Sequence, residues 1–207
     1  MRKLKVLHVL ATTKEEFFIN NLISYTDPGK IEFSFVSLTE KSRFTESIEE
    51  RGLHVYAVNV TNRIDYLRAA LSLRKILASE SPDIVHTHLF GPTLMGLTVA
   101  KSRRLKVVVT RHHSDAIHRI PSPTTRAVYL KLENYINRNA DHLIAPSKMV
   151  RECLVEWESA QDEKVSIIPY GQTSERFDGV TLEWMRKKRE ELGMNAQLWI
   201  VGVSRLY

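Results

Sequence analysis

Short apolar runs alternate with longer segments of mixed polarity along most of this chain. Residues 5–10, 31–38, 53–60, 83–87, 106–111, 142–145 and 164–168 are rich in Val, Ile, Leu and Phe and are bounded by polar or turn-forming residues, the mark of strands. Between them, 15–25, 42–51, 65–79, 92–104, 124–139 and 147–159 have helical character. Asp27-Pro28-Gly29 stops the first helix, Gly52 the second, and Ser147 is placed to cap the last. In 65–79, Leu67, Ala70, Leu71 and Leu77 are expected to share the buried face, with Arg68 and Lys75 elsewhere. Strict alternation of strand and helix predicts an α/β fold: a Rossmann-like, doubly wound, mostly parallel sheet.

The stretch 82–115 organises the rest. It reads as strand, loop, helix, strand, and the crossover between 92 and 104 is long enough to make its two strands parallel. His86 and His88 at the end of the first strand then lie near His112, His113 and Asp115 at the end of the second. The crevice outside the carboxyl ends of such strands is where open α/β sheets bind ligands.

A net charge of +6 favours an anionic partner, whether nucleotide phosphates, an anionic membrane surface or nucleic acid. The single cysteine, Cys153, excludes a disulfide framework and fits a reducing compartment. No apolar run approaches the roughly 20 residues of a membrane span. The start, basic and then apolar, is too short and too interrupted by His8 for a signal peptide and reads better as a first strand.

Gly91 and Gly96 have the spacing of a phosphate loop, but Leu97 stands where that loop requires lysine, so a tight turn and close helix packing are the expected roles. His86 and His88, two apart on a strand, face one side; they suit a metal, with Asp115, His112 and His113 as further ligands, or equally a pair of buried, backbone-bonded histidines. His112, His113 and Ser114 can donate to phosphate or sugar oxygens, and Asp115 can orient a hydroxyl.

Five motifs in order carry a family resemblance: Pro82-Asp83-Ile84-Val85-His86-Thr87-His88, Val109-Thr110-Arg111-His112-His113-Ser114-Asp115, Ala140-Asp141-His142-Leu143-Ile144-Ala145-Pro146-Ser147, Ile167-Ile168-Pro169-Tyr170-Gly171, and Phe177. Together they resemble the amino-terminal half of a family 4 glycosyltransferase of GT-B fold. Val201-Gly202-Val203-Ser204-Arg205-Leu206-Tyr207 resembles the first strand of the family's second domain.

The resemblance implies an acceptor-side domain over 1–178, then a linker helix and the first strand of a truncated nucleotide-sugar-binding domain over 179–207. It implies retaining transfer of a sugar from a nucleotide-sugar donor to a glycan or lipid-linked acceptor in cell-envelope glycan biosynthesis. No metal and no cofactor beyond the donor substrate are expected, and no nucleic acid. The implied location is cytoplasmic, with peripheral association at the inner face of an anionic membrane. By matched position His112 is the catalytic residue beside the transferred sugar, and Arg205 and Gly171 belong to the donor site; His88, His113, Ser114 and Asp115 are read as the acceptor-binding residues, with Lys14 as an anion contact there. The chain alone is expected to be inactive, since the second domain's donor motif is absent from it.

Two places depart from the family pattern. Ala11-Thr12-Thr13-Lys14-Glu15-Glu16 stands where a Gly-Gly loop is usual, and Gln172-Thr173 follows Gly171 where an aliphatic residue and Asp are usual. Two other readings stay open: a stand-alone ligand-binding module, and a metal-dependent hydrolase using His86 and His88.

Overall fold

Val6, His8 and Leu10 point to one side of β1 (Leu4–Leu10) and Leu7 and Val9 to the other, and all five are buried. Such a strand needs cover on both faces, which is how parallel sheets are built. The computed structural model describes residues 2–113, 117–171 and 178–194. Its remaining strands are β2 (Ile31–Ser37), β3 (His54–Ala57), β4 (Ile84–His88), β5 (Lys106–Thr110), β6 (His142–Ala145) and β7 (Val165–Ile167). They form one seven-stranded sheet in the order β3-β2-β1-β4-β5-β6-β7. Every neighbouring pair is parallel, so the expected doubly wound sheet is observed.

One face is covered by α1 (Phe17–Tyr25) and α2 (Arg43–Glu49), through Ile19, Phe44 and Ile48 packed on Val6, Leu10, Phe33 and Phe35. The other is covered by α3 (Arg63–Glu80), α4 (Phe90–Ser102), α5 (Pro123–Asn139) and α6 (Lys148–Glu152). A turn of π-helix, Cys153–Trp157, continues α6. Side-chain caps start several of these helices: Ser42 accepts from Thr45 N, Asn62 from Ile64 N and Asp65 N, and Ser147 from Val150 N. Gly52, at φ +78°, ends the turn after α2 in the left-handed conformation that glycine tolerates.

The buried face of α3 is not the expected one. Leu67 and Leu71 are exposed, whereas Ala69, Leu73 and Leu77 are buried, with Tyr66, Ala70 and Ile76 packed beside them. Both stripes are apolar at helical spacing, so periodicity alone does not choose. Ala69, Leu73 and Leu77 turn into the core that α3 shares with α4, and Leu67 and Leu71 are left outside.

Gly91 and Gly96 both lie within α4, not in a loop. No atom lies within 4 Å of where a Cβ on Gly91 would stand, and the left-handed turn into the helix belongs to Leu89 at φ +65°. Gly96 is the packing glycine: a Cβ there would lie 2.6 Å from Thr87 Cγ2 and 3.4 Å from Val9 Cγ2. Gly96→Ala is therefore expected to lose about 1 kcal/mol, since overpacking costs about 1–3 kcal/mol and is offset in part by the ~1 kcal/mol gain in helix propensity. Urea unfolding would measure it, and a variant as stable as the parent would show that α4 can move off β4.

Asp141 explains one motif as architecture. Its carboxylate accepts from Val107 N at 2.8 Å, Lys101 Nζ at 2.5 Å and Lys106 Nζ at 3.1 Å, tying the start of β6 to β5 and α4. These donors hold it ionised, with the pKa down at about 2 despite an opposing desolvation.

The chain divides into two units, Met1–Tyr170 and Gly171–Tyr207. In the second, α7 (Leu182–Glu191) starts at Thr181, whose hydroxyl accepts from Trp184 N, and the chain turns at Gly193 with φ +65°. The expected first strand of the second domain at 201–207, Gln172, Thr173 and Phe177 lie outside the described residues.

Candidate functional site

The sheet's strand order turns back between β1 and β4, and the site lies at the carboxyl end of that pair. Register fixes its floor: His8 on β1 stands opposite His86 on β4, and His88 opposite Thr110 on β5. Because side chains alternate along a strand, His8, His86 and His88 all emerge on the α1 side. The ring centroids of His86 and His88 are 4.3 Å apart and those of His8 and His86 4.8 Å.

From this floor a line of hydrogen bonds runs outward. His8 Nδ1 meets His88 Nε2 at 3.0 Å, His88 Nδ1 meets His112 Nε2 at 3.2 Å, and His112 Nδ1 meets the Tyr170 hydroxyl. His86 stands beside the line, its Nε2 bonded to Thr110 Oγ1 at 2.8 Å. Phe18 on α1 packs over the outer part, with centroids 5.1 Å from His88, 4.7 Å from His112 and 5.8 Å from Tyr170.

Burial makes these imidazoles neutral. His8 and His88 are held well below the usual 6.5, chiefly by burial and then by neighbouring imidazoles. His86 and His112 are brought down to about 4, again first by burial, with His112 acting on His86 and His113 on His112. The Tyr170 phenol is pushed up to about 12 by burial and the charge of Glu16. At neutral pH the line holds hydrogen-bond donors and acceptors but no net charge.

A second network anchors the loop that carries His112. Arg111 forms ion pairs with Glu133 on α5 and, at 2.8 Å, with Glu158 after the π-helix, while its Nε donates to His113 O at 3.0 Å. His118 Nε2 lies 3.2 Å from the same Glu158 oxygen, and Asn137 donates to Glu158 O at 2.9 Å. Glu133 and Glu158 are both buried, and burial, together with the nearby Glu158 charge, raises the Glu133 pKa against the pull of Arg111. A cavity of about 70 Å³ lies beside this network, lined by Phe90, Thr93, Arg111, His112, Glu133 and Ile136 among others.

The structure brings together His86, His88 and His112, as expected, and places His113 exposed next to them. His88 is only 2% exposed and has both ring nitrogens bonded, so its side chain reaches the crevice through His112. Lys14 is exposed in the loop after β1, where Thr12 Oγ1 accepts from Lys14 N at 3.1 Å. Gly171 is exposed, and a Cβ there would meet nothing within 4 Å, so the described residues set no steric need for glycine. Ser114, Asp115 and Arg205 lie outside the described residues.

Sequence reasoning missed His8, Phe18 and Tyr170. A polar ring inside the run Val6-Leu7-His8-Val9-Leu10 was the available signal for the first. Donor atoms of His8, His86 and His88 lie within 4.8 Å of one another, a spacing a metal ion could use. Two of the three rings are already bonded to each other.

Residues 18–176 match the sequence profile of Glycosyltransferase Family 4. Over 111 residues the chain is 28% identical to the Escherichia coli UDP-Gal:alpha-D-GlcNAc-diphosphoundecaprenol alpha-1,3-galactosyltransferase, covering 54% of this chain and 29% of that enzyme. Among solved structures it is similar to Anabaena HepE in complex with UDP, with TM-score 0.68 and 16% identity over 92% of this chain and 50% of that one. It is similar also to a glycosyltransferase from Rickettsia africae, with TM-score 0.67 and 19% identity over 96% of this chain and 52% of that one. The chain thus spans about half the length of those structures and less than a third of the curated relative. With the sheet, the crevice and the motif order agreeing with a profile that covers most of its length, the chain belongs to glycosyltransferase family 4.

Proposed function

We propose that this chain forms the acceptor-side half of a retaining, metal-independent glycosyltransferase that moves a sugar from a nucleotide-sugar donor to a lipid-linked or glycan acceptor. The observation that carries the reading is His112, held neutral at the mouth of the crevice between the carboxyl ends of β1 and β4. A neutral imidazole bonded to a phenol aims that phenol at sugar oxygens without adding a charge that would compete with the donor's phosphates. His113, Ser114, Asp115 and Lys14 belong on this reading to the acceptor side. Arg205 and Gly171 belong to the donor side, where a guanidinium suits the charge gathering on a departing nucleoside diphosphate. The E. coli relative is named for a diphosphoundecaprenol-linked acceptor and a UDP-galactose donor. That supports the same substrate classes here.

The direct test is transfer from UDP-galactose to a lipid diphosphate-linked GlcNAc acceptor by the protein as its gene encodes it. Product of retained configuration, made equally well in a chelator and reduced at least about 100-fold by His112→Ala, is expected, since general acid–base or positioning groups contribute roughly that much. Inverted product, or transfer abolished by the chelator, would sink the reading. The metal-dependent hydrolase is less well supported, because His88 is buried and bonded on both sides.

A lipid-linked acceptor would bring the chain to a membrane surface. No helix among the described residues is long and apolar enough to cross one. The first half of α3, which starts at the carboxyl edge of the sheet, exposes Ile64, Leu67 and Leu71 at helical spacing, with Arg68, Arg74 and Lys75 also exposed. Apolar groups beside cations are the chemistry of an anionic bilayer surface. Leu67→Glu with Leu71→Glu is expected to cut sedimentation with phosphatidylglycerol vesicles about tenfold or more, from roughly 1 kcal/mol or more lost per residue. Unchanged sedimentation would place the membrane contact elsewhere.

A further inference from the structure

Both ring nitrogens of His88 and both of His112 take part in hydrogen bonds. A neutral imidazole has one N–H and one lone pair, so a ring bonded on both sides must donate on one and accept on the other. The three linked bonds therefore share one direction, and only two proton arrangements satisfy them. In the first, His8, His88 and His112 all carry their protons on Nδ1, and the Tyr170 oxygen accepts from His112. In the second, all three carry them on Nε2, Tyr170 donates inward, and the His8 Nε2–H meets no acceptor.

His8 is fully buried, and its Nε2 has no hydrogen-bond partner among the described residues. A buried N–H without an acceptor is the rarer orphan, and leaving one costs its desolvation in full. That selects the first arrangement. The consequence lies at the other end of the line. With its oxygen accepting from His112, Tyr170 keeps its own O–H for something outside, and the residue is 42% exposed. His112 has no ring nitrogen left to offer while Tyr170 stays in place.

We propose that His8 and His88 are positioning residues that lock His112 as its Nδ1–H tautomer, and that Tyr170 is the group that donates a hydrogen bond to a sugar oxygen at the mouth of the site. The identity of the ligand as a sugar rests on the proposed function; the relay and its direction do not. Phe18, packed against the rings of His88, His112 and Tyr170, holds the outer members in line. The high pKa of the Tyr170 phenol keeps it a donor at any physiological pH.

The test is a two-bond proton–nitrogen correlation spectrum of the histidine-labelled chain, which reads each ring's tautomer without requiring activity. His8, His88 and His112 are expected to appear as Nδ1–H tautomers that stay neutral through neutral and mildly acidic pH. A proton on His112 Nε2, or an ordinary titration of that ring, would overturn the relay. Tyr170→Phe, at the exposed end, is expected to leave His112 in the Nδ1–H form, because His88 still donates to its Nε2; a switch to Nε2–H would show that the Tyr170 oxygen, and not His88, sets the tautomer, and would overturn the positioning role of His88. His88→Leu is expected to release His112 into a mixture of tautomers, and an unchanged spectrum would remove His88 from any positioning role. In the transfer assay Tyr170→Phe is expected to lower kcat/KM about tenfold, the scale of one hydrogen bond, and an unchanged value would overturn the donor role of Tyr170. A parent protein that transfers nothing counts against the proposed function, and the tautomers still decide the relay.

Discussion

Acidification is expected to unfold this protein between about pH 6 and pH 4, well before its carboxylates are fully protonated. Unfolded imidazoles take up protons near 6.5, whereas His86 and His112 do so only near 4 and His8 and His88 lower still. Across that window the folded state binds fewer protons than the unfolded one. Stability therefore rises with pH there and is lost as the pH falls. For His86 alone the difference is on the order of 3 kcal/mol at 1.36 kcal/mol per pH unit. The neighbouring rings add to it, with less each time because a charge on one opposes a charge on the next. A loss of that order is a large share of the 5–15 kcal/mol typical of a domain. Urea unfolding at a series of pH values would show the slope, and His86→Asn would make it shallower. Stability that stays level down to pH 5 would mean that water reaches the rings.

Arg111→Ala is expected to cost about 3–5 kcal/mol, the penalty for breaking a buried ion pair by removing one partner. Its guanidinium lies between Glu133 and Glu158, both buried, and is itself mostly covered. Without it two buried carboxylates are left facing each other. The Glu133 pKa, already raised, would rise further. The variant would then behave oppositely to the histidine cluster: the folded state would hold a proton the unfolded state has lost, so stability would fall as pH rises above the ordinary glutamate range. Glu133→Gln in the same chain should restore part of the loss by removing one of the unpaired charges. A double-mutant cycle measures this coupling, and a loss under about 1 kcal/mol for Arg111→Ala would mean that water already solvates the pair.

Much of the architecture was legible before any coordinates. The strand over 106–111, the helix over 124–139 and the stop at Gly52 follow from local chemistry: β-branched runs, capping hydroxyls and a glycine with positive φ. Legibility failed where two local solutions were equally good. On α3 the stripe through Leu67 and Leu71 and the stripe through Ala69, Leu73 and Leu77 are both apolar, and only the packing of α4 and the rest of the core against the helix distinguishes them. For Gly91 and Gly96 a tight turn and close helix packing were expected, yet both lie within α4 and only Gly96 lies against side chains that a Cβ would strike.

The candidate site divides in the same way. Strand alternation and a crossover of sufficient length are local properties, so a parallel α/β domain with His86, His88 and His112 at the ends of adjacent strands on one edge could be read from the chain alone. Tertiary packing was needed to show that His8, from a strand eighty residues away, underlies them, that Tyr170 ends their line, and that Arg111 turns inward to two buried glutamates while His113, two residues on, is exposed. The physical reason is that these relations depend on register between strands distant in sequence and on how deeply each ring is desolvated. Neither quantity is encoded in any window of the chain.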